Sequence, residues 1–203
     1  MDPAGFFHLA GFLDEHQQRR LIEWTRELCK AAPLVQPKMP NGTPMSVQVT
    51  NAGRAGWWSD QAGGYRYIKR HPTTNEPWPD APPWILAFAN KALLQAGLGP
   101  AAFDCIAVNY YAPEAKLGMH IDRSEVDQSI PIVSFSLGSE ATFVMGGPDR
   151  DGPTQRYHLA SGDCCVMAPP ARNWFHSVAR VHPRTIFSPT REGRINLTIR
   201  KVL

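Results

Sequence analysis

Ile106-Ala107-Val108-Asn109-Tyr110-Tyr111 opens a run of short apolar segments that decides the fold. It is followed by Leu117 to Asp122, Ile132 to Leu137, Thr142 to Met145, Tyr157 to Leu159, Cys164 to Met167, Phe175 to Val181 and Ile195 to Arg200, each bounded by turn-forming residues. Regular short strands of this kind predict a β-sandwich or barrel. Ahead of them, Phe6 to Leu13 reads as a short extended segment. Asp14 then reads as the N-cap of a helix to about Ala31, with Leu21, Ile22, Trp24, Thr25 and Leu28 at helical spacing. Pro33, Pro37 and Pro40 end that helix, and Met45 to Thr50 alternates as a half-buried strand. Pro83 suits the first turn of a second helix running to about Ala96 and closed by Gly97. The predicted class is α+β, mainly β: amino-terminal helices packed on a double-sheet jelly roll.

A chain of 203 residues with 43% hydrophobic residues suffices for one domain with a substantial core. Nineteen prolines and sixteen glycines point to many turns rather than long helices. No run of eighteen apolar residues suggests a membrane span, and no basic-then-apolar leader suggests secretion. Cys29, Cys105, Cys164 and Cys165 show no C-x-x-C spacing, which argues against a disulfide framework or structural zinc site and for reduced thiols. A cytoplasmic protein without a membrane partner is therefore expected. The net charge of +3 permits nucleic-acid binding through a local patch without arguing for it.

The chemistry is concentrated in His120-Ile121-Asp122. In an extended chain, side chains two apart share a face, so an imidazole and a carboxylate converge. A histidine from a distant strand would complete a 2-His-1-carboxylate set, which suits ferrous iron and leaves open positions. His158, His176 and His182 are the candidates. His176 suits an inward position, whereas the polar flanks of His158 and the proline after His182 suggest surface sites. In Arg194-Ile195-Asn196-Leu197-Thr198-Ile199-Arg200, one strand face carries Arg194, Asn196, Thr198 and Arg200. Turned inward, those arginines need an anionic partner, and a small dicarboxylate would serve. Turned outward, they are solvated while Ile195, Leu197 and Ile199 face the core. Periodicity leaves both arrangements open.

Between Asn51 and Pro83, glycine, proline, tryptophan and tyrosine are interleaved with Arg54, Arg66, Lys69 and Arg70. A long irregular segment is usually functional or mobile, and aromatic faces beside basic groups suit a nucleotide. The alternative is that Trp57, Trp58 and Tyr65 cap the core beneath a loop.

From Met45 to Arg200 the sequence resembles the AlkB family of iron- and 2-oxoglutarate-dependent dioxygenases. The likeness lies in Met45-Ser46-Val47 with Thr50-Asn51, Gly56-Trp57, Asn75 to Pro79, Asn109 to Pro113, Ala115-Lys116-Leu117, His120-Ile121-Asp122, Pro131 to Ser134, Ser136-Leu137-Gly138 and Arg194 to Arg200. The resemblance implies a double-stranded β-helix (jelly roll) with supporting amino-terminal helices and a nucleotide-recognition lid. Within a single domain over 1–203, it implies an extension and helix over 1–44, the lid over 45–82, and a helix plus dioxygenase core over 83–203. It makes His120, Asp122 and His176 the iron ligands and catalytic centre. Asn109, Tyr111, Arg194, Asn196 and Arg200 become the 2-oxoglutarate set, and Trp57, Tyr65, Arg66, Tyr67, Ser124 and Arg156 the substrate set.

The implied reaction is oxidative demethylation of N-alkylated bases in DNA or RNA, with Fe(II), 2-oxoglutarate and O2, on single-stranded or flipped-out bases and by a monomer. Ser124 stands where the best-known bacterial relatives have an aspartate, and Met167 to Ala171 differs from the family's glycine-containing turn. These departures keep tRNA-base or protein side-chain oxygenation as an alternative of the same cofactor chemistry. A non-catalytic nucleic-acid-binding module and a zinc-loaded jelly roll complete the range.

Overall fold

A computed structural model describes residues 3–113, 115–183 and 193–203, and among these residues there are twelve strands, two α-helices and one short 3₁₀ helix (Ala171–Asn173). The strands are β1 (Phe6–Leu9), β2 (Val47–Gly53), β3 (Gly56–Asp60), β4 (Gly64–Ile68), β5 (Cys105–Tyr111) and β6 (Leu117–His120). They continue with β7 (Ile132–Gly138), β8 (Ala141–Met145), β9 (Gln155–Leu159), β10 (Cys164–Met167), β11 (His176–Val181) and β12 (Arg194–Arg200). Six form one sheet in the order β1-β10-β7-β12-β5-β2, four form a second in the order β6-β11-β8-β9, and β3 pairs with β4 as a separate hairpin. All the pairings are antiparallel. This is the expected two-sheet jelly roll.

Helix α1 (Glu15–Ala31) begins where the sequence predicts. The Asp14 carboxylate accepts from the Gln17 amide at 2.8 Å, and the Gln17 side chain accepts from the Asp14 amide at 3.0 Å, a reciprocal cap. Leu21, Ile22, Thr25 and Leu28 form its buried stripe. Helix α2 (Pro83–Gln95) buries Ile85, Ala89, Ala92 and Leu93. It ends before Gly97, whose φ of +75° favours glycine. The Arg20 guanidinium lies 4.0 Å from the centre of a Trp84 ring, joining the two helices at their rim.

The helices cover one face of the large sheet, where Val133, Phe135, Val166, Leu197 and Ile199 join Leu21, Ile85 and Leu93 in one apolar core. A second core, including Val47, Val49, Tyr111, Phe143, Met145 and Val178, lies between the two sheets. The large sheet is therefore buried on both faces. β12 lies fourth among its six strands, so the choice between an inward and an outward arginine face dissolves: both faces point inward.

Two predicted boundaries shift. Strand β6 stops at His120, so Asp122 lies just beyond it in an irregular segment. The stretch 45–82 is not one unit, because Val47–Gly53 is an integral strand of the large sheet paired with β5 along its length. What projects from the sheet begins after it, with the β3–β4 hairpin. The fully buried Asn51 ties that hairpin down: its side chain accepts from the Trp57 amide at 3.0 Å and donates to the Trp57 carbonyl at 3.2 Å. The cysteines are unpaired, with Cys105, Cys164 and Cys165 buried.

Candidate metal centre and the cleft around it

His120 and His176 face each other because β6 and β11 are antiparallel neighbours and these two residues are directly opposite. Their ring centres lie 4.4 Å apart. A register shift between His176 and Val178 breaks the ladder immediately beyond this pair, as bulges often do beside a functional site. Just past the end of β6, Asp122 sets Oδ1 3.9 Å from His120 Nε2 and Oδ2 3.6 Å from His176 Nε2. One ligand atom from each residue lies within 4.8 Å of the others.

The ring orientations are fixed by what the other nitrogens do. His120 Nδ1 lies 2.8 Å from the Gly118 carbonyl, and His176 Nδ1 lies 3.1 Å from the Trp174 carbonyl. A carbonyl only accepts, so each Nδ1 carries the hydrogen and each Nε2 turns a lone pair to the common point. Burial, followed by the neighbouring His176, lowers the His120 imidazole to about 4, which favours the neutral, ligating form. Burial alone would raise the Asp122 carboxyl, but Arg200 and then His176 hold it well below the usual carboxylate range. Arg200 Nη2 stands 2.9 Å from Asp122 Oδ2.

Both histidines and Asp122 line a cleft enclosing about 490 Å³ including its open mouth. The large sheet supplies its opposite wall. Asn109 and Tyr111 of β5 pair in register with Asn196 and Arg194 of β12, so all four project to the same side. Ser134, Thr198 and Arg200 complete that wall. Asn196 Nδ2 donates to Ser134 Oγ at 2.8 Å and to the Phe135 carbonyl at 2.9 Å. Arg194 Nη2 donates to Ser136 Oγ at 2.9 Å, while among the described residues its Nε and Nη1 find no acceptor and Arg200 Nε is likewise unmatched. Buried donors without partners are rare in a folded protein and point to a missing ligand. A metal set beside two guanidiniums with spare donors fits a divalent iron and a dicarboxylate keto acid.

The substrate-side residues divide. On the hairpin, Trp57, Tyr65 and Tyr67 share one face, with Trp57 directly opposite Tyr67. The Trp57 and Tyr65 rings stack at 6.0 Å and 21°. The Tyr67 hydroxyl donates to Glu125 Oε1 at 2.6 Å, which turns this face towards the Arg200–Asp122 pair. Arg66 is on the other face and forks onto Asp60 at 3.0 and 2.7 Å. The rule that makes a basic residue among aromatics a phosphate partner overlooks this acid, which holds its guanidinium instead. Ser124 is half-buried in the irregular segment after Asp122. Arg156 is exposed on the face of β9 opposite Tyr157 and Leu159, of which Leu159 lines the cleft. His158 is exposed and pairs with Glu140 at 2.9 Å, while the half-buried His182 meets Thr142 at 2.9 Å, and neither lines the cleft.

The sequence reading omits Glu125 and Arg172. Their side chains are each 1% exposed and lie 2.9 Å apart, directly behind Asp122. Neither sits in a periodic segment that signals burial.

A metal that binds only the folded protein stabilises it by mass action. Mn(II) or Fe(II) at about one hundred times its Kd is expected to add about 2.7 kcal/mol, or roughly 5–10 °C in melting temperature for a domain of this size. Thermal unfolding with and without metal under anaerobic conditions checks this.

The model of the 2OG-Fe(II) oxygenase superfamily matches residues 5–200. An AlkB homolog of Caulobacter vibrioides, named as an alpha-ketoglutarate-dependent dioxygenase, is 43% identical over 97% of this chain and 87% of its own length. The alpha-ketoglutarate-dependent dioxygenase AlkB of Escherichia coli K12 is 37% identical over 90% of this chain and 83% of its own. Mouse nucleic acid dioxygenase ALKBH1 matches half of this chain at 45% identity, over 26% of its own length. The solved structure of OsALKBH1 superposes with a TM-score of 0.84 at 27% identity, over 99% of this chain and all of that one.

Proposed function

The chain belongs to the AlkB family within the 2OG-Fe(II) oxygenase superfamily, and on that premise we propose that it oxidatively removes alkyl groups from the bases of DNA or RNA. The observation that carries this is the pairing of a His120–Asp122–His176 centre with the unmatched donors of Arg194 and Arg200 across one cleft. With iron(II) bound, 2-oxoglutarate and O2 supply the chemistry: oxidative decarboxylation to succinate, coupled to hydroxylation of the N-alkyl carbon, which leaves as an aldehyde.

The protein's own part is binding and positioning. Nε2 of His120 and of His176, with the Asp122 carboxylate, hold the metal. Arg194 seats the distal carboxylate of the cosubstrate and Arg200 serves the keto-acid end, with Asn109, Tyr111 and Asn196 lining the seat. The buried walls exclude water from the wall side of the metal. His120, 34% exposed at its side chain, marks the side open to substrate. A target atom inside a duplex stack is out of reach, so the substrate is a single strand or a flipped-out base. The β3–β4 hairpin acts as the lid, with Trp57 and Tyr65 as the stacking surface. Every group in the site comes from one chain, so a monomer suffices. No described helix is long and apolar enough to cross a membrane.

Oligonucleotides carrying a panel of N-methyl lesions, incubated with Fe(II), 2-oxoglutarate and ascorbate and then weighed, test the reading. Loss of the mass of one CH2 group, as methyl is replaced by hydrogen, with equimolar succinate and formaldehyde is expected. Succinate without methyl loss from any DNA or RNA lesion would remove the substrate assignment. Base–aromatic stacking contributes about 1–3 kcal/mol per base. Trp57→Ala is therefore expected to raise KM for the oligonucleotide roughly 5- to 150-fold, while KM for 2-oxoglutarate stays within about twofold.

A further inference from the structure

Behind the metal ligands sits a second layer of charge that the reaction itself does not call for. Glu125 lies three residues past Asp122, and its carboxylate is saturated with donors. Oε1 accepts from Arg200 Nη1 and from the Tyr67 hydroxyl, each at 2.6 Å, and Oε2 accepts from Arg172 Nη2 at 2.9 Å. Both arginines also grip Asp122. Arg200 Nη2 holds its side chain at 2.9 Å, and Arg172 Nη1 donates to its main-chain carbonyl at 2.8 Å. Arg172 Nε is committed as well, to the Ile130 carbonyl at 3.3 Å. Glu125 thus orients the two guanidiniums that fix Asp122 from both ends.

The charge count gives this layer a consequence. Two arginines and two carboxylates cancel before any metal arrives, and the imidazoles are neutral donors. A divalent cation must then settle close to Arg200, whose charge opposes it. In a buried setting that repulsion is large, because a low dielectric weakens screening. Glu125 offsets it without reaching the metal. As packing alone, a buried ion pair such as Glu125–Arg172 has little to recommend it, since apolar residues of similar size are often as stable.

We propose that Glu125 is a positioning residue of the metal centre: it aligns Arg200 and Arg172 on Asp122 and balances their charge, and thereby sets the affinity for the divalent cation. The proposal rests on reading His120, Asp122 and His176 as the metal ligands. Through Tyr67 the same carboxylate also moors the β3–β4 hairpin, alongside the Asn51 bonds to Trp57, and so helps to place the stacking face of Trp57 relative to the metal.

The test is Mn(II) binding to the full-length metal-free protein, followed by the electron paramagnetic resonance of free Mn(II), with thermal unfolding of each metal-free variant alongside. Glu125→Gln keeps the shape and an acceptor but removes the charge, and is expected to raise the Kd for Mn(II) at least about tenfold. Arg172→Gln removes a positive charge from the same cluster while its amide keeps a donor for the Asp122 main-chain carbonyl, and is expected to lower the Kd by about threefold or more. The double variant should fall between them. Opposite signs are the signature, because a merely structural role would lower metal-free stability in both and move both affinities the same way. A Glu125→Gln protein that binds Mn(II) within twofold of wild type overturns the proposal and leaves the metal site standing. If Glu125→Gln fails to fold, weaker binding by Arg172→Gln overturns it equally. A wild-type protein that binds neither Mn(II) nor Fe(II) overturns the metal site and the proposal together.

Discussion

Asp122→Ala is expected to abolish oxidative demethylation, to at least about 10³-fold below wild type, equivalent to roughly 4 kcal/mol of lost transition-state stabilisation. The carboxylate is the anionic donor of the three, so its loss leaves two neutral imidazoles to hold a dication. It also leaves Arg200 Nη2 without the acceptor now 2.9 Å away. An unmatched buried charged donor costs about 1–3 kcal/mol or more, so the metal-free variant should unfold at lower temperature while remaining folded at 25 °C. Arg200 keeps Glu125 as a partner at 2.6 Å, which limits the damage. Mass measurement of a methylated oligonucleotide and Mn(II) binding on the same preparation check both halves. Retention of more than a tenth of the activity would show that Asp122 is not a ligand, and the centre would have to be rebuilt around His120 and His176.

How much of this centre the sequence reveals depends on how far each relationship reaches along the chain. His120 and Asp122 are two residues apart, and one extended backbone brings them together, although Asp122 itself lies just off the strand. The polar face of β12 is visible for the same reason, through a period of two. Which way that face points is not visible. A strand with one polar and one apolar face fits a half-exposed position equally well, and only its place between β7 and β5, beneath the helices, buries both. The flanks of His176 favour it over His158 and His182 and the AlkB resemblance makes it the third ligand, but only the pairing of β11 with β6 sets it opposite His120.

Glu125 and Arg172 have no local signal at all. Glu125 sits in Ser124-Glu125-Val126-Asp127, which reads as a solvated loop, and Arg172 occupies a single turn of 3₁₀ helix, Ala171–Asn173, distant in the chain. Their pairing is a purely tertiary fact. Arg66 illustrates a pairing that is local. Its partner Asp60 is only six residues away, and the intervening Gly63-Gly64 signals a hairpin turn that would have brought the two together.

Arg194→Met carries the second large effect, and its two halves have opposite signs. KM for 2-oxoglutarate is expected to rise about 10²- to 5 × 10³-fold, matching the roughly 3–5 kcal/mol lost when a buried guanidinium–carboxylate pair loses one member. The metal-free protein, by contrast, is expected to become more stable. Arg194 is 2% exposed, has two donors without acceptors and, among the described residues, is paired with no carboxylate. Its companions are the Ser136 hydroxyl and the Tyr111 ring, whose centre lies 5.3 Å from the guanidinium carbon. Burial accordingly lowers its pKa, the direction expected of a charge that folding strands in a low-dielectric wall. Methionine has a similar length and no charge to desolvate, so it should relieve about 1–3 kcal/mol, or roughly 2–12 °C in melting temperature for a domain of this size. Added 2-oxoglutarate with Mn(II) should then close the gap by stabilising wild type far more than the variant. A variant that melted lower than wild type but kept its KM would make Arg194 a packing residue of the inter-sheet core. A gain in stability with loss of cosubstrate affinity is what a site held open for an anion produces, because the stabilising partner of that charge arrives only with the ligand.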